Sequence, residues 1–578
     1  MTYADLLPLF KERLIELLDN TTLDTYRVRY HNVRTILNEL KGLIEGWKKN
    51  SIKRYETIES CIKETVGLIN NDTAIEYRYP IKNKDQVIQI LEEYNRDIKG
   101  KERRCTIAKS DDVIYLISKI IAETRISYID NLWVQIGEIL TTEGELEDDK
   151  YIPEAMRMEL LTASLVRELL NLGYSKQFLF RSALDFNEQP NEVEEYLKFE
   201  QKLKNAQEKT FRVFLSVNLQ NAGKGEVYTN FKSSLEAERI LQNEFVLTKS
   251  HFVKFLRSST NKKFYIFECR AMDPNSAIYK AKHELYEELD NLQLGSSGLE
   301  VKIHDKAIAV LYQTPKNIFY YQNTKCVLDG HNDGCALLSN KFRVGLNNIK
   351  VSNKIETDVK LRLQSAIRHF RIGNQEQELE QKFINYWIGL EFVFSSPLVE
   401  ENTFQRLKNH LVNILSACYV ERNLRYVEED LVKSRLLLNK DLLSEEKIDE
   451  LCKNNITSLQ KYRLKSIKSC VYNSTDKRKQ YVNRHREHLN MHLIRIYHFR
   501  NMLIHEAAIN QDIEGITSNL RYYLYFVIEQ MILFYTTTKM DKLLSIDDFF
   551  YEYKLIYDFL ISCKNIDDYR EIALIKNR

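Results

Sequence analysis

The sequence predicts a mainly α-helical chain with a small central α+β domain, on three observations. Only 7 Pro and 17 Gly punctuate 578 residues, so few helix breakers are available. Apolar residues recur at helical spacing along most of the chain, as in "ELLTASLVRELLNL" at 159–172. Between about 210 and 345 the texture changes to short aromatic and β-branched runs bounded by polar or Gly-containing stretches, which is the strand signature. A chain of this length exceeds what one core organises. The expected divisions are a helical region over 1–209, an α+β domain over 210–350, a helical bundle over 351–541 and a helical tail over 542–578.

Each element has a local reason. The opening "MTYADLLPLFKERLIELL" places Asp5, Lys11, Glu12 and Arg13 where a signal peptide needs an unbroken apolar core, so it reads as an amphipathic helix. Gly173 follows the last apolar turn of the 159–172 run as a C-cap, and the charged stretch 191–209 reads as a surface helix. "FRVFLSV", "KFYIFECRA" and "LEVKIHDKAIAVLY" read as strands. Asp273-Pro274, an N-cap residue before Pro at the first helical position, opens a helix between the last two. "LEQKFINYWIGLEFVFS" is apolar almost all round and should be a central bundle helix packed on the helix that contains residues 493–507. The tail, with Phe549, Phe550, Tyr553 and Tyr557, should pack back as a last helix.

Composition removes several classes of function. With 84 Lys plus Arg against 82 Asp plus Glu, there is no global basic field, so any nucleic-acid contact must be local. The nine cysteines form no CxxC pair, which suits a reducing cytoplasm, and no 18-residue apolar run predicts a membrane span. Neither a GxxxxGK[ST] phosphate loop nor an HExxH zinc motif occurs. Cys326, Asp329, His331, Asp333 and Cys335 are ligand types, but without a second close pair they read as an ordinary loop. "GSS" at 295–297 with Asp305 lacks the second carboxylate of a nucleotidyltransferase, because Ala307 stands there. No metal or cofactor is expected.

"HFRNMLIHEA" at 498–507 sets three strongly polar side chains into an otherwise buried-looking helix. On a wheel of about 100° per residue, Arg500 falls amid Leu493, Ile496, Tyr497, Leu503, Ile504 and Ala507. Asn501 and His505 share an adjacent face, with His498 nearby. A buried charge is costly unless paired or used. Glu391, bracketed by Leu390 and Phe392, is an equal anomaly, and a pairing of Glu391 with Arg500 would relieve both. The bland reading makes Arg500 a structural ion-pair partner, Asn501 a packing amide and His505 a satisfied core histidine. The chemical reading gives a phosphate-binding guanidinium, a positioning amide and a proton-moving imidazole.

"RIYHFRNMLIHEA" resembles the signature helix of the HEPN superfamily: an Arg, a polar residue, then a His four to six positions beyond. "AIRHFRIGNQEQELEQKFINYWIGLEFVFSS" at 366–396 is similar to the first helices of Apea-like HEPN domains of anti-phage defence proteins, and "AMDPNSAIYKAKHELYEELDNL" to a segment upstream of some of them. The resemblance implies that 351–541 is an antiparallel HEPN bundle and that the protein is a metal-independent endoribonuclease. Such an enzyme would act as an effector of bacterial anti-phage defence or of a toxin-like stress response, with a phage-derived trigger as one implied partner. Arg500 would bind the scissile phosphate and His505 would act as general acid or base while a ribose 2′-OH attacks, with Asn501 orienting them. The RNA would be a transfer or messenger RNA, and the active unit a homodimer or larger homo-oligomer in which two motif helices meet. Lys477, Arg478, Lys479, Arg484 and Arg486 read equally as a solvated helix or as an RNA-backbone contact. The superfamily also holds members without cleavage activity, so a non-catalytic binding or dimerisation module is the alternative.

Overall fold

A computed structural model describes residues 3, 6–78, 81, 83–100, 103–144, 146–204, 207–220, 230–245, 250–257, 262–295, 300–312, 318–324, 327–330, 336–395, 402–439, 441–506, 513–539 and 541–577. The described chain is mainly helical, with five strands confined to its middle. It divides into two units, one of Met1–Ser164 with Leu328–Arg578 and one of Leu165–Val327. The first boundary falls inside the helix Asp148–Asn171.

The division differs from the boundaries read off the sequence, and buried ion pairs explain why. Helix Leu6–Leu18 is not a simple amphipathic surface helix, because Lys11, Arg13 and Glu16 are all buried with its leucines. Glu16 accepts from Arg463 at 2.6 Å and from Arg13 at 2.5 Å, while Arg13 also reaches Glu159 at 3.1 Å. Paired in this way, charges that read as solvent-facing become part of a core. The N-terminal helices are therefore integral to the unit that contains the C-terminal ones.

In that unit, helix Leu379–Phe394 packs against Thr357–Gln375 and Ile513–Thr537, as its apolar content requires. Gly389 makes the approach possible, since a Cβ there would lie 3.0 Å from Leu524 and 3.1 Å from the His369 Cβ. Trp387 is buried, and Phe383 meets Phe499 of the helix Thr475–Glu506 with ring centroids 5.0 Å apart. The expected packing on that 32-residue helix, called the motif helix below, is thus present. Burial is not all round, however: Ile388 is 40% and Phe392 42% exposed. The tail forms two helices rather than one, Ile546–Ser562 and Ile566–Asn577, and the first packs on Thr403–Ala417.

The second unit is built on an antiparallel sheet of β1 (Lys209–Gln220), β2 (Phe231–Ser233), β3 (Lys262–Ala271), β4 (Glu300–Leu311) and β5 (Ile318–Asn323), in the order β2-β3-β1-β4-β5. Alternation along β1 serves both faces: Val213, Leu215 and Val217 join Ala277, Ala281 and Leu285 of helix Pro274–Gly295, whereas Phe214 joins Leu241 and Leu256 on the other side. The helices Ser234–Phe245 and Ser250–Arg257 that cover this second face are additions to the strand, helix, strand core read from sequence. Asp273 caps as expected, accepting from the Asn275 and Ser276 amides at 2.9 Å each, and it also accepts from the Ser175 amide at 2.6 Å. Gly173 ends its helix at φ +97°, a conformation glycine adopts freely. Helix Val193–Lys204 buries Tyr196, Phe199 and Leu203 against this unit, so only its other face meets solvent.

Candidate functional site

The motif helix is held by two unlike sets of neighbours. Along one face Val482, Leu489, Leu493, Ile496 and Phe499 are buried, following the i, i+3, i+4 spacing of a packed stripe. Burial fades past Phe499: Arg500 and Leu503 are half-buried and Ile504 is 46% exposed. Arg500 therefore stands where the packed stripe runs out, rather than at its centre as the wheel placed it. Ala507 lies outside the described residues.

Arg500 donates from Nη1 to the Asn501 side-chain oxygen at 3.1 Å. Its Nε is buried without a hydrogen-bond partner. Among the described residues no carboxylate pairs with it. The pairing with Glu391 does not occur; Glu391 accepts instead from the Trp387 indole N–H of its own helix, at 2.9 Å. One turn apart on a helix, those two side chains satisfy each other locally, which is why Glu391 has no need of a partner across the bundle. His505 lies in the last turn of the motif helix, and its side chain is outside the described residues. His498 is half-buried beside Arg495 in a narrow cleft.

Arg495 is the residue that sequence reasoning missed. It sits between Ile494 and Ile496, so the test applied to Arg500 would have found it equally well. Its guanidinium is clamped between two glutamates on the N-terminal helices: Nε to Glu39 at 2.8 Å, and Nη2 to Glu39 at 2.9 Å and Glu64 at 2.6 Å. Glu39 belongs to helix Val33–Lys48 and Glu64 to helix Tyr55–Asn71. His31 Nε2 lies 2.8 Å from the second Glu39 oxygen. Burial would raise the Glu39 carboxyl, but Arg495 and His31 overcome it and hold the group well below the usual carboxylate range. Three residues before, burial with the Arg495 charge pushes His492 down to about 3, and its Nδ1 lies 2.9 Å from the Tyr523 hydroxyl.

The five basic residues upstream divide. Lys477, Lys479 and Arg484 are exposed. Arg486 is half-buried, its guanidinium 4.5 Å from the Tyr557 ring centroid. Arg478 is withdrawn from any surface: it is buried and donates to the carbonyls of Val471, Leu560 and Cys563. Those carbonyls lie before the motif helix and at the end of Ile546–Ser562, where helix termini leave acceptors unfilled, so Arg478 caps helices rather than meeting a ligand.

Among the described residues no group of three His, Cys, Asp or Glu side chains could hold a metal ion. Of the loop at 326–335, Asp329 is described and its amide donates to Ser518 Oγ at 3.1 Å, whereas Cys326, His331, Asp333 and Cys335 lie outside the described residues, as do Ser296 and Ser297. No described helix is long and apolar enough to cross a membrane. Comparison with protein-family models, with curated proteins and with solved structures gives no match.

Proposed function

We propose that the protein is a HEPN-type endoribonuclease that cleaves RNA without a metal ion, by attack of a ribose 2′-OH on the adjacent phosphate. The observation that carries this reading is the state of Arg500: half-buried, bonded to the neutral amide of Asn501, and facing no carboxylate among the described residues. A guanidinium that is desolvated but not neutralised is poised to accept a phosphate, whose oxygens match its planar donors. Asn501 fixes the orientation of that fork. His505 follows on the same helix, in the role of general acid and base.

The dimer belongs to the same proposal. Arg500 and His505 are about 140° apart around the helix, so one copy aims them in different directions and two crossing copies bring the Arg500 of one beside the His505 of the other. Ile504, 46% exposed and about 40° from Arg500, offers the apolar contact such a crossing would cover. Exposed Lys477, Lys479 and Arg484 lie upstream as backbone contacts for the RNA. The biological setting proposed is a cytoplasmic effector of anti-phage defence or a toxin-like stress response.

The test is expression in bacteria of the wild type, Arg500→Ala and His505→Ala, with and without phage. It includes light scattering of the purified proteins and end-analysis of the RNA. Growth arrest, 2′,3′-cyclic phosphate ends and at least a dimer are expected for the wild type, with cleavage unaffected by EDTA and lost in both variants. Cleavage by His505→Ala at the wild-type rate, or cleavage that chelation stops and one divalent ion restores, overturns the mechanism. RNA binding without cleavage in all three would favour the non-catalytic module.

A further inference from the structure

The Arg495 clamp joins the motif helix to the two helices that follow the N-terminal one, and it does so on the face that leads to the proposed site. Met491, Ile494, Arg495 and His498 line the cleft opposite Cys61 and Glu64. Continued by the helical repeat, that face carries the positions of Asn501, Met502 and His505 in the next two turns, His505 falling about 20° from His498. Arg54, just before the helix Tyr55–Asn71, lies 5.7 Å over the ring of Tyr497, which is about 40° around the motif helix from Asn501 and about 80° from His505.

We infer that helices Val33–Lys48 and Tyr55–Asn71 are a latch, held shut by Arg495 between Glu39 and Glu64, that restricts access to the Asn501 and His505 face of the motif helix. This rests on the reading of that face as the ribonuclease site. Two features distinguish a latch from ordinary packing. The cleft between them is of mixed character, with Thr57, Ser60, Glu64, Arg495 and His498 lining it beside Leu43, Cys61, Met491 and Ile494, so the closure does not rest on an apolar seam alone. The ionic part is a single guanidinium shared by two carboxylates, so neutralising those two groups removes the fork from both partner helices at once. A second helix, or an RNA backbone, laid across Asn501 and His505 would abut the first turn of Tyr55–Asn71. A helix is about 10 Å wide, and Tyr497 is only four residues, about 6 Å, before Asn501.

Cys61 provides a native reporter, since it is buried in this contact, whereas Cys418 and Cys563 are buried among C-terminal helices. The experiment compares peptide-resolved alkylation of the full-length wild type, the Glu39→Gln/Glu64→Gln variant and the milder Glu64→Gln, together with their RNA cleavage, each with and without Arg500→Ala. The expected result is at least a tenfold faster modification of Cys61 in the double variant, a smaller rise in the single one, and unchanged protection of Cys418 and Cys563. RNA cleavage should rise in the same order and vanish with Arg500→Ala. Equal Cys61 protection in all three proteins overturns the latch. So does opening at Cys61 without a gain in cleavage when the wild type itself cleaves. If Cys61 opens as expected but no protein cleaves RNA, the ribonuclease reading fails while the ionic control of the helix contact stands. Loss of protection at Cys418 in the double variant marks unfolding, and Glu64→Gln alone then decides between a latch and ordinary packing by the same two readouts.

Discussion

Arg495 and Arg500 lie five residues apart on one helix, in the same apolar run, and the protein treats them in opposite ways. Arg495 is 8% exposed and spends its donors on two glutamates. Arg500 is half-buried, bonds a neutral amide and keeps a buried Nε without a partner. Both are partly desolvated guanidinium groups, so burial alone does not tell a structural arginine from a functional one. Their partners differ: two carboxylates neutralise Arg495, whereas the Asn501 amide leaves the Arg500 charge in place, which is the ground on which Arg500 is proposed to bind phosphate.

The largest expected effect tests the structural member of the pair. Arg495→Met removes the guanidinium from Glu39 and Glu64, leaving Glu39 only His31, and should lower unfolding free energy by about 3 kcal/mol, the low end for a broken buried pair because both carboxylates keep some contact with water and Glu39 keeps that neighbour. Urea denaturation of the full chain would show it, and a loss below about 1 kcal/mol would erase the distinction between the two arginines. Arg500→Ala should do the reverse. Its cost in stability should stay within about 1 kcal/mol, while cleavage falls about 10²–10³-fold, the range for removing one donor to a developing charge.

Acid should sharpen the contrast along the same helix. His492 is pushed down to about 3 by burial, and His410 to about 4, also by burial with the Arg406 charge second. Both bind protons less readily folded than unfolded, so their contribution is complete above the unfolded value of about 6.5 and declines as pH falls toward the folded values. Glu39, depressed in the folded protein, keeps its contribution to lower pH and loses it only as pH falls below the ordinary carboxylate range. Stability measured between pH 7 and 4 should therefore drop before the clamp releases, and His492→Asn should flatten that drop. The smallest effect concerns Glu391. Glu391→Gln still accepts from the Trp387 indole and should change stability by less than about 0.5 kcal/mol, additively with Arg500→Ala. A coupling above about 1 kcal/mol would restore the cross-bundle pair.

What is legible in the sequence is local. The Asp273-Pro274 helix start, the Gly173 stop, the strand runs and the buried Leu379–Phe394 helix each announce themselves through spacing or backbone chemistry within a dozen residues. Two departures share one cause. Residues 1–18 read as an amphipathic helix, and Arg478 as part of either a solvated helix or an RNA-backbone contact, yet Lys11, Arg13 and Arg478 are buried. Sequence displays a charge but not its partner, and the partners of Arg13 and Arg478 include Glu159, far along the chain, and backbone carbonyls. The site is half legible. Arg500 and Asn501 stand out and do interact; Arg495, set between Ile494 and Ile496, is as conspicuous a charge, but nothing nearby in sequence marks the glutamates that claim it, more than 400 residues earlier.

The Glu16 to Arg463 ion pair also sets a clock. Its partners are 447 residues apart. At roughly 5–20 residues per second, a ribosome delivers Arg463 about 20–90 s after Glu16. Throughout that interval Glu16 has its neighbour Arg13 but not Arg463, and within it the whole of Leu165–Val327 is made. The first unit can close only after its interruption has been synthesised. For a protein proposed to cut RNA, that order has a use: the motif helix, completed at residue 506, emerges when the N-terminal helices that clamp it are already waiting outside the ribosome.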